Sequence, residues 1–159
     1  MTTPDASEEW FDPIIDAVIS DVQRTGYFDM VQGFEPGRMP GKGLTAAVWV
    51  IAIDPIRASG LASTSGRIAF NLRLYSRISK EPTDIIDPEL MRAASSIMRQ
   101  YHDDFDFGLT ETVRNVDLLG AYGVPLSLIT GWLEQSGGWF RIADITVPVI
   151  VNDVWPQVS

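Results

Sequence analysis

Hydrophobic residues recur with a helical period in two places along the chain. Isoleucine and valine repeat at four-residue spacing between Asp12-Pro13 and Gly26, which predicts a helix capped by Asp12 and ended at Gly26. A second apolar stripe of the same period follows Asp87-Pro88 and predicts a helix that ends between His102 and Gly108. Both helices are amphipathic, so each is expected to pack one face against a core.

Elsewhere the pattern is extended. Apolar and polar residues alternate from Arg67 to Ile78, which predicts a strand with one buried and one solvated face. Leu44 to Ile56 is evenly apolar and predicts a strand covered on both faces. Three further strands are predicted over Val113 to Leu119, Leu126 to Leu133 and Trp139 to Val154, with a hairpin turn at 135–138. Pro148 cannot donate a ladder hydrogen bond, so a bulge or an edge is expected there.

These elements predict an α+β fold, a mostly antiparallel or mixed β-sheet with two main helices packed on it. The order contains no repeat and no long linker, and 159 residues suit one domain spanning 1–159. Glycine-containing stretches at about 33–43 and 57–66 are expected to be flexible loops.

Composition removes many kinds of chemistry. The chain has no cysteine and one histidine, His102, which excludes thiolate sites and any site that needs two imidazoles. A net charge of −9 argues against binding to nucleic acid phosphates or anionic lipid. Residues 1–21 carry six acids and no Lys or Arg, unlike a signal peptide, and the longest apolar run, Ala46 to Ile53, is too short to span a membrane. We therefore expect synthesis in the cytoplasm and no membrane role.

Three motifs resemble functional sites without completing them. Gly37 to Gly43 ends in Gly-Lys-Gly but lacks the spacing and the Ser or Thr of a phosphate-binding loop. Asp106-Phe107-Gly108 spells a kinase triplet without the rest of that motif set. Neighbouring acids at 103, 104 and 106 lack the spacing of a calcium loop. No catalytic, cofactor-binding or metal-ligating residue is predicted, and the chain is not expected to be an enzyme.

The charge is segregated along the sequence. Residues 1–21 and 81–111 each sum to −6, whereas residues 22–80 sum to +5. Within the basic segment, Arg67, Arg73 and Arg77 share one side of a predicted strand. Opposite charges on separate surfaces suit a protein that meets copies of itself head to tail, so these arginines are a candidate subunit interface. The alternative is that they only solvate the sheet face.

Two segments of the chain have a family resemblance. The run from Val113 to Pro125, VRNVDLLGAYGVP, and the run from Arg141 to Trp155, RIADITVPVIVNDVW, resemble tail terminator proteins of long non-contractile-tailed phages of actinobacteria. The order helix, β-hairpin, helix, β-hairpin is also similar to that family, over most of the chain from about residue 12.

The resemblance implies a structural virion protein in the neck region of the tail. Such proteins form a homo-hexameric ring that caps the tail tube protein, ends its polymerisation and offers the surface joined by a head-completion or connector protein. DNA would pass through the lumen without specific binding, and no cofactor is implied. The alternatives are another head–tail joining or tail component, such as a connector or a tube subunit, and an enzyme whose site the sequence does not reveal.

Overall fold

The computed structural model of the protein describes residues 8–35, 43–57, 60, 62–77, 86–135 and 137–157. The helices are α1 (Phe11–Arg24) and α2 (Ile86–Asp103). The strands are β1 (Met30–Gln32), β2 (Thr45–Pro55), β3 (Ser63–Arg77), β4 (Val113–Val116), β5 (Ser127–Gln135) and β6 (Gly138–Pro156). Two helices and a mixed six-stranded sheet confirm the predicted α+β class.

Both predicted helices are present, but they begin earlier than their supposed caps. Asp12 lies inside the first turn of α1, and Trp10 before that helix makes no side-chain capping bond. Asp87 likewise lies inside the first turn of α2, so both capping assignments are wrong. A carboxylate in the first turn still stabilises each helix, because a helix N-terminus carries partial positive charge. Gly26 has a φ of 75° after α1, as its predicted terminating role requires.

The sheet has the strand order β1-β2-β3-β6-β4, and β5 also pairs with β6. Every pairing is antiparallel except the short parallel pair of β1 with β2. Since β3 runs along one side of β6, β5 and β4 divide its other side: β5 pairs with residues 138–146 and β4 with residues 149–151. The predicted hairpin is confirmed, with Gly137 at a φ of 75°.

Strand β3 starts earlier than the sequence indicated. Ser63 and Thr64 pair with Pro156 and Trp155, so the end of the loop expected at 57–66 is strand instead. A Cβ on Gly66 would lie 3.2 Å from the Trp155 ring, which explains why a residue without a side chain continues the strand there. The other expected loop, 33–43, falls mostly outside the described residues.

Strand β2 is covered over only half its length. Thr45–Val48 are buried, whereas residues 50–55 are all exposed. The prediction of cover on both faces is therefore wrong for the second half, which β3 pairs on one side only in the described chain. An even apolar run does not distinguish a buried strand from an apolar strand at a sheet edge.

Pro148 lies neither in a bulge nor at an edge, contrary to the prediction. It pairs with Ala69 in an unbroken stretch of the β3–β6 ladder. Its carbonyl oxygen accepts the backbone N–H of Asp117 at 2.8 Å, so its nitrogen faces the side of β6 that β5 and β4 divide. The missing donor falls between those two strands, where the ladder is already interrupted.

The main core lies between the helices and one face of the sheet. The even-numbered residues of β3 from Ile68 to Leu74 meet the buried stripes of both helices there. The Tyr101 hydroxyl of α2 donates to the carbonyl oxygen of Val18 in α1 at 3.0 Å and joins the helices. A smaller buried cluster on the opposite sheet face contains Ala47, Tyr75, Phe140 and Ile142.

Candidate functional site

The three strand arginines share the sheet face opposite the helices, as their odd-numbered spacing predicted, but their environments differ. Arg67 is 7% exposed. Its Nε lies 3.5 Å from an Asp117 carboxylate oxygen, and its guanidinium donates to the carbonyl oxygen of Val124. The alternative that Arg67 only solvates the sheet face is therefore wrong. Its partners lie about fifty residues away, and the strand pattern carries no trace of them.

Arg73 is also engaged within the chain. Its Nε and Nη2 donate to the two carboxylate oxygens of Asp144 at 2.7 and 3.1 Å, a bidentate pair. These hydrogen bonds raise the pKa of Arg73 above its ordinary value. The guanidinium carbon also lies 5.5 Å from the centre of the Trp49 ring. Arg73 of β3 is thus held by Trp49 of β2 on one side and by Asp144 of β6 on the other.

Arg77 alone of the three is exposed. Its guanidinium carbon lies 5.9 Å from the centre of the Phe140 ring, and no carboxylate pairs with it among the described residues. Of the candidate interface residues, Arg77 is the one whose charge is available to a neighbouring molecule.

The buried Arg67–Asp117 pair holds the loop that follows β4. The two carboxylate oxygens of Asp117 accept the backbone N–H groups of Ala121 and Tyr122 at 2.7 and 3.0 Å. A Cβ on Gly123 would lie 2.9 Å from the guanidinium carbon, so the backbone approaches Arg67 closely. The loop ends the strand at Val116, short of the predicted Leu119, whose side chain is 93% exposed. It is a fixed loop with an apolar surface.

Two sheet edges have no partner strand in the described part of the chain. One is formed by β1 and by residues 50–55 of β2, where Ile51 and Ile53 are 53% and 43% exposed. The other is shared by the outer sides of β4 and β5, and on β5 Ile129 and Trp132 are 73% and 57% exposed. An edge strand offers unpaired N–H and C=O groups to another chain. The sequence predicted β2 and β5 but not β1, and it did not predict the edge positions of these strands, which depend on topology.

A buried carboxylate joins the two helices. Asp21 of α1 is 1% exposed and accepts from Nη1 of Arg24 at 3.1 Å, and the same nitrogen lies 3.8 Å from Asp104. Burial, followed by the nearby charge of Asp104, raises the pKa of Asp21 from 3.8 to about 7. Asp21 from the acidic segment 1–21 and Asp104 from the acidic segment 81–111 thus lie close together in the fold.

The motifs set aside at the sequence level form local structure where they are described. Asp106 accepts the N–H of Gly108 at 3.0 Å and closes a turn. Nδ1 of His102 lies 2.7 Å from the Met98 carbonyl oxygen, within its own helix. Across the described ranges, no three His, Asp or Glu side chains are grouped to hold a metal ion, and neither described helix combines the length and apolarity of a membrane span. Most of the Gly37 to Gly43 motif lies outside those ranges.

The sequence matches no protein-family model and no curated protein. Among solved structures, a chain of the virion of a native gene transfer agent particle is similar, with 11% identity and a TM-score of 0.39; the match covers 87% of this chain and 94% of that one. A chain of an extracellular contractile injection system, described as a PVC sheath/tube terminator in the extended state, has 11% identity and a TM-score of 0.32, covering 100% and 60%. Both TM-scores are below 0.5, so neither likeness carries a functional conclusion.

Proposed function

We propose that this protein is a structural component of a phage-type tail, a tail terminator that caps the tail tube as a homo-hexameric ring. The resemblance of Val113 to Pro125 and Arg141 to Trp155 carries the proposal. In the fold these segments are neighbours: Val113 pairs with Val151, and Val116 pairs with Val149. The resemblance therefore covers one continuous region, consisting of β4, the loop fixed by Arg67 and Asp117, and β6.

The surface suits assembly better than it suits catalysis. His102 contacts the Met98 carbonyl oxygen of its own helix and Asp106 closes a turn, so these two residues serve local structure. The exposed features are instead two uncovered sheet edges and a fixed apolar loop, which suit the binding of other protein chains. We accordingly assign the chain no catalytic step and no cofactor.

The charge supports passage of DNA through the ring. Asp12 and Asp16 are exposed on α1, whereas the buried Arg67 and the half-buried Arg73 are neutralised within the chain. A lumen lined by the acidic helix would repel phosphate instead of binding it, because each accessible Lys or Arg contact adds affinity for DNA. The two ends of the ring would meet the tube protein and a head-completion or connector protein, in the neck of the virion.

Native mass spectrometry of the purified protein over a concentration series tests the proposal. A closed hexamer is expected. A filament would favour a tube subunit and a dodecamer a connector ring, the two alternatives that share the acidic, self-associating character. A monomer at every concentration would contradict the ring and reopen a search for an enzyme site.

A further inference from the structure

The outer edge of β5 lacks the features that keep edge strands from pairing. Residues 127–134 contain no Lys, Arg or Pro, and their one charged residue, Glu134, stands near the end. Ile129 and Trp132 are more than half exposed along this edge. A long, largely apolar edge with a single charge is a surface on which another chain can pair. The edge is therefore available for pairing with a second chain.

The same chain provides a second uncovered apolar edge on the opposite side of the sheet. It is formed by β1 and residues 50–55 of β2, and we call it the β1/β2 edge. Met30, Ile51 and Ile53 are each at least 40% exposed there. Two different edges on opposite sides of one sheet favour a head-to-tail contact between copies over a symmetric one.

The strand directions agree with such a contact. Three antiparallel steps, β2 to β3, β3 to β6 and β6 to β5, make β5 run opposite to β2 and hence to β1. When two copies stand side by side in the same orientation, β5 of one meets the β1/β2 edge of the next in antiparallel sense. Antiparallel pairing needs no crossover and extends the existing ladder.

We infer that β5 of each copy pairs with the β1/β2 edge of a second copy, continuing the sheet from subunit to subunit. The inference deepens the proposed function, since it supplies the contact that would repeat around the ring. A head-to-tail contact closes into a ring when its rotation divides a full turn and otherwise forms a filament.

The neighbouring copy can take one of two positions along the strand direction, depending on which part of the β1/β2 edge pairs with β5. Gly131 of β5 is level with Ile142, whereas Ala52 is level, through Ala69, with Pro148, six residues further along β6. When β5 pairs with β1, the two copies stand at the same level along the strands, which we call the flush contact. Pairing with the open half of β2 shifts the neighbour by about 20 Å along the strands, which a ring accommodates only with tilted strands.

Cysteine cross-linking tests the contact cleanly because the chain has no cysteine of its own. Ile129→Cys would be co-expressed with Ile53→Cys, and separately with Met30→Cys, and treated with a bis-maleimide before denaturing electrophoresis. A covalent dimer is expected in at least one mixture, and none from any variant alone. Cross-linking through Met30 identifies the flush contact and through Ile53 the shifted one. Ser95→Cys, exposed on α2, is the matched control and should give no dimer with Ile129→Cys.

The outcomes separate this inference from the proposed function. Oligomers by native mass spectrometry without a cross-link to either edge position, or a dimer from Ile129→Cys alone, overturn the inference and leave the ring intact. Specific cross-links in a protein that forms filaments uphold the inference and overturn the terminator. A monomer without cross-links overturns both.

Discussion

At the scale of residues, Arg67 and Asp117 form a charged pair that is buried on the sheet face opposite the helices. Arg67 is 7% exposed and Asp117 is 2% exposed. Their ion pair is joined by the two backbone N–H groups that Asp117 accepts and by the carbonyl oxygen of Val124. Losing one member would leave the other charged in a site with little water, and this cost exceeds that of losing an exposed pair.

Replacing Arg67 therefore tests whether the pair fixes the loop. Arg67→Met should lower the free energy of unfolding by about 3–5 kcal/mol, because the Asp117 carboxylate loses its counterion. Urea unfolding followed by tryptophan fluorescence measures the change. Arg92→Met on the exposed face of α2 should change it by no more than about 0.5 kcal/mol.

The double variant Arg67→Met with Asp117→Asn is the decisive comparison. It removes the uncompensated charge and keeps one oxygen that can accept one of the two loop N–H groups, so it should be more stable than Arg67→Met alone. A double variant that is less stable by the full sum of both single changes would show that the two residues act independently.

At the scale of elements, the period of the sequence predicted the helices and strands better than it predicted their surroundings. The stripes of α1 and α2 and the alternation of β3 identified their core faces, because burial on one face directly imposes that period. The exposed half of β2 and the interior position of Pro148 depend on which strands are neighbours, and local sequence does not encode that. In the sequence, nothing distinguishes Asp21 from the five other acids of residues 1–21. Only the packing of α2 against α1 places it beside Asp104.

The Asp21 site predicts how stability depends on pH. Its folded pKa of about 7 exceeds the ordinary value of 3.8, so the folded state binds more protons than the unfolded state between these values. Stability from this group is accordingly present below about pH 4 and is lost as pH rises toward and through 7. Asp21→Asn should raise the free energy of unfolding at pH 8 by about 1–3 kcal/mol and remove much of the decline between pH 5 and pH 8.

Urea unfolding at pH 5 and pH 8 measures both effects, with the exposed Asp16→Asn on the same helix as the control. The explanation fails if Asp21→Asn follows the parent's pH dependence. Arg24, Gln100 and Asp104 are the groups that face this carboxyl from α1 and α2, and all remain in the variant.

At the scale of the whole molecule, folding rearranges the charge that the sequence segregates. The basic segment 22–80 supplies Arg67 and Arg73, but Asp117 and Asp144 from the C-terminal third neutralise them, and Arg24 lies between Asp21 and Asp104. Segregation along the chain thus became pairing in space. The spacing of the arginines predicted their common face correctly, and it could not predict that only Arg77 keeps its charge exposed.

Arg77 is consequently the position at which the proposed electrostatic contact between subunits can be tested without breaking an ion pair among the described residues of the monomer. Arg73→Glu would place two carboxylates against each other, because Arg73 pairs with Asp144, and would destabilise the fold itself. Arg77→Glu instead changes an exposed charge. If the basic face meets an acidic neighbour, Arg77→Glu should weaken the hexamer by roughly tenfold in dissociation concentration. Light scattering over a dilution series at low and high salt measures this, and salt should reduce the difference from the parent. Arg92→Glu makes the same charge change on α2, and equal weakening by both variants would mean that net charge, not the Arg77 face, governs assembly.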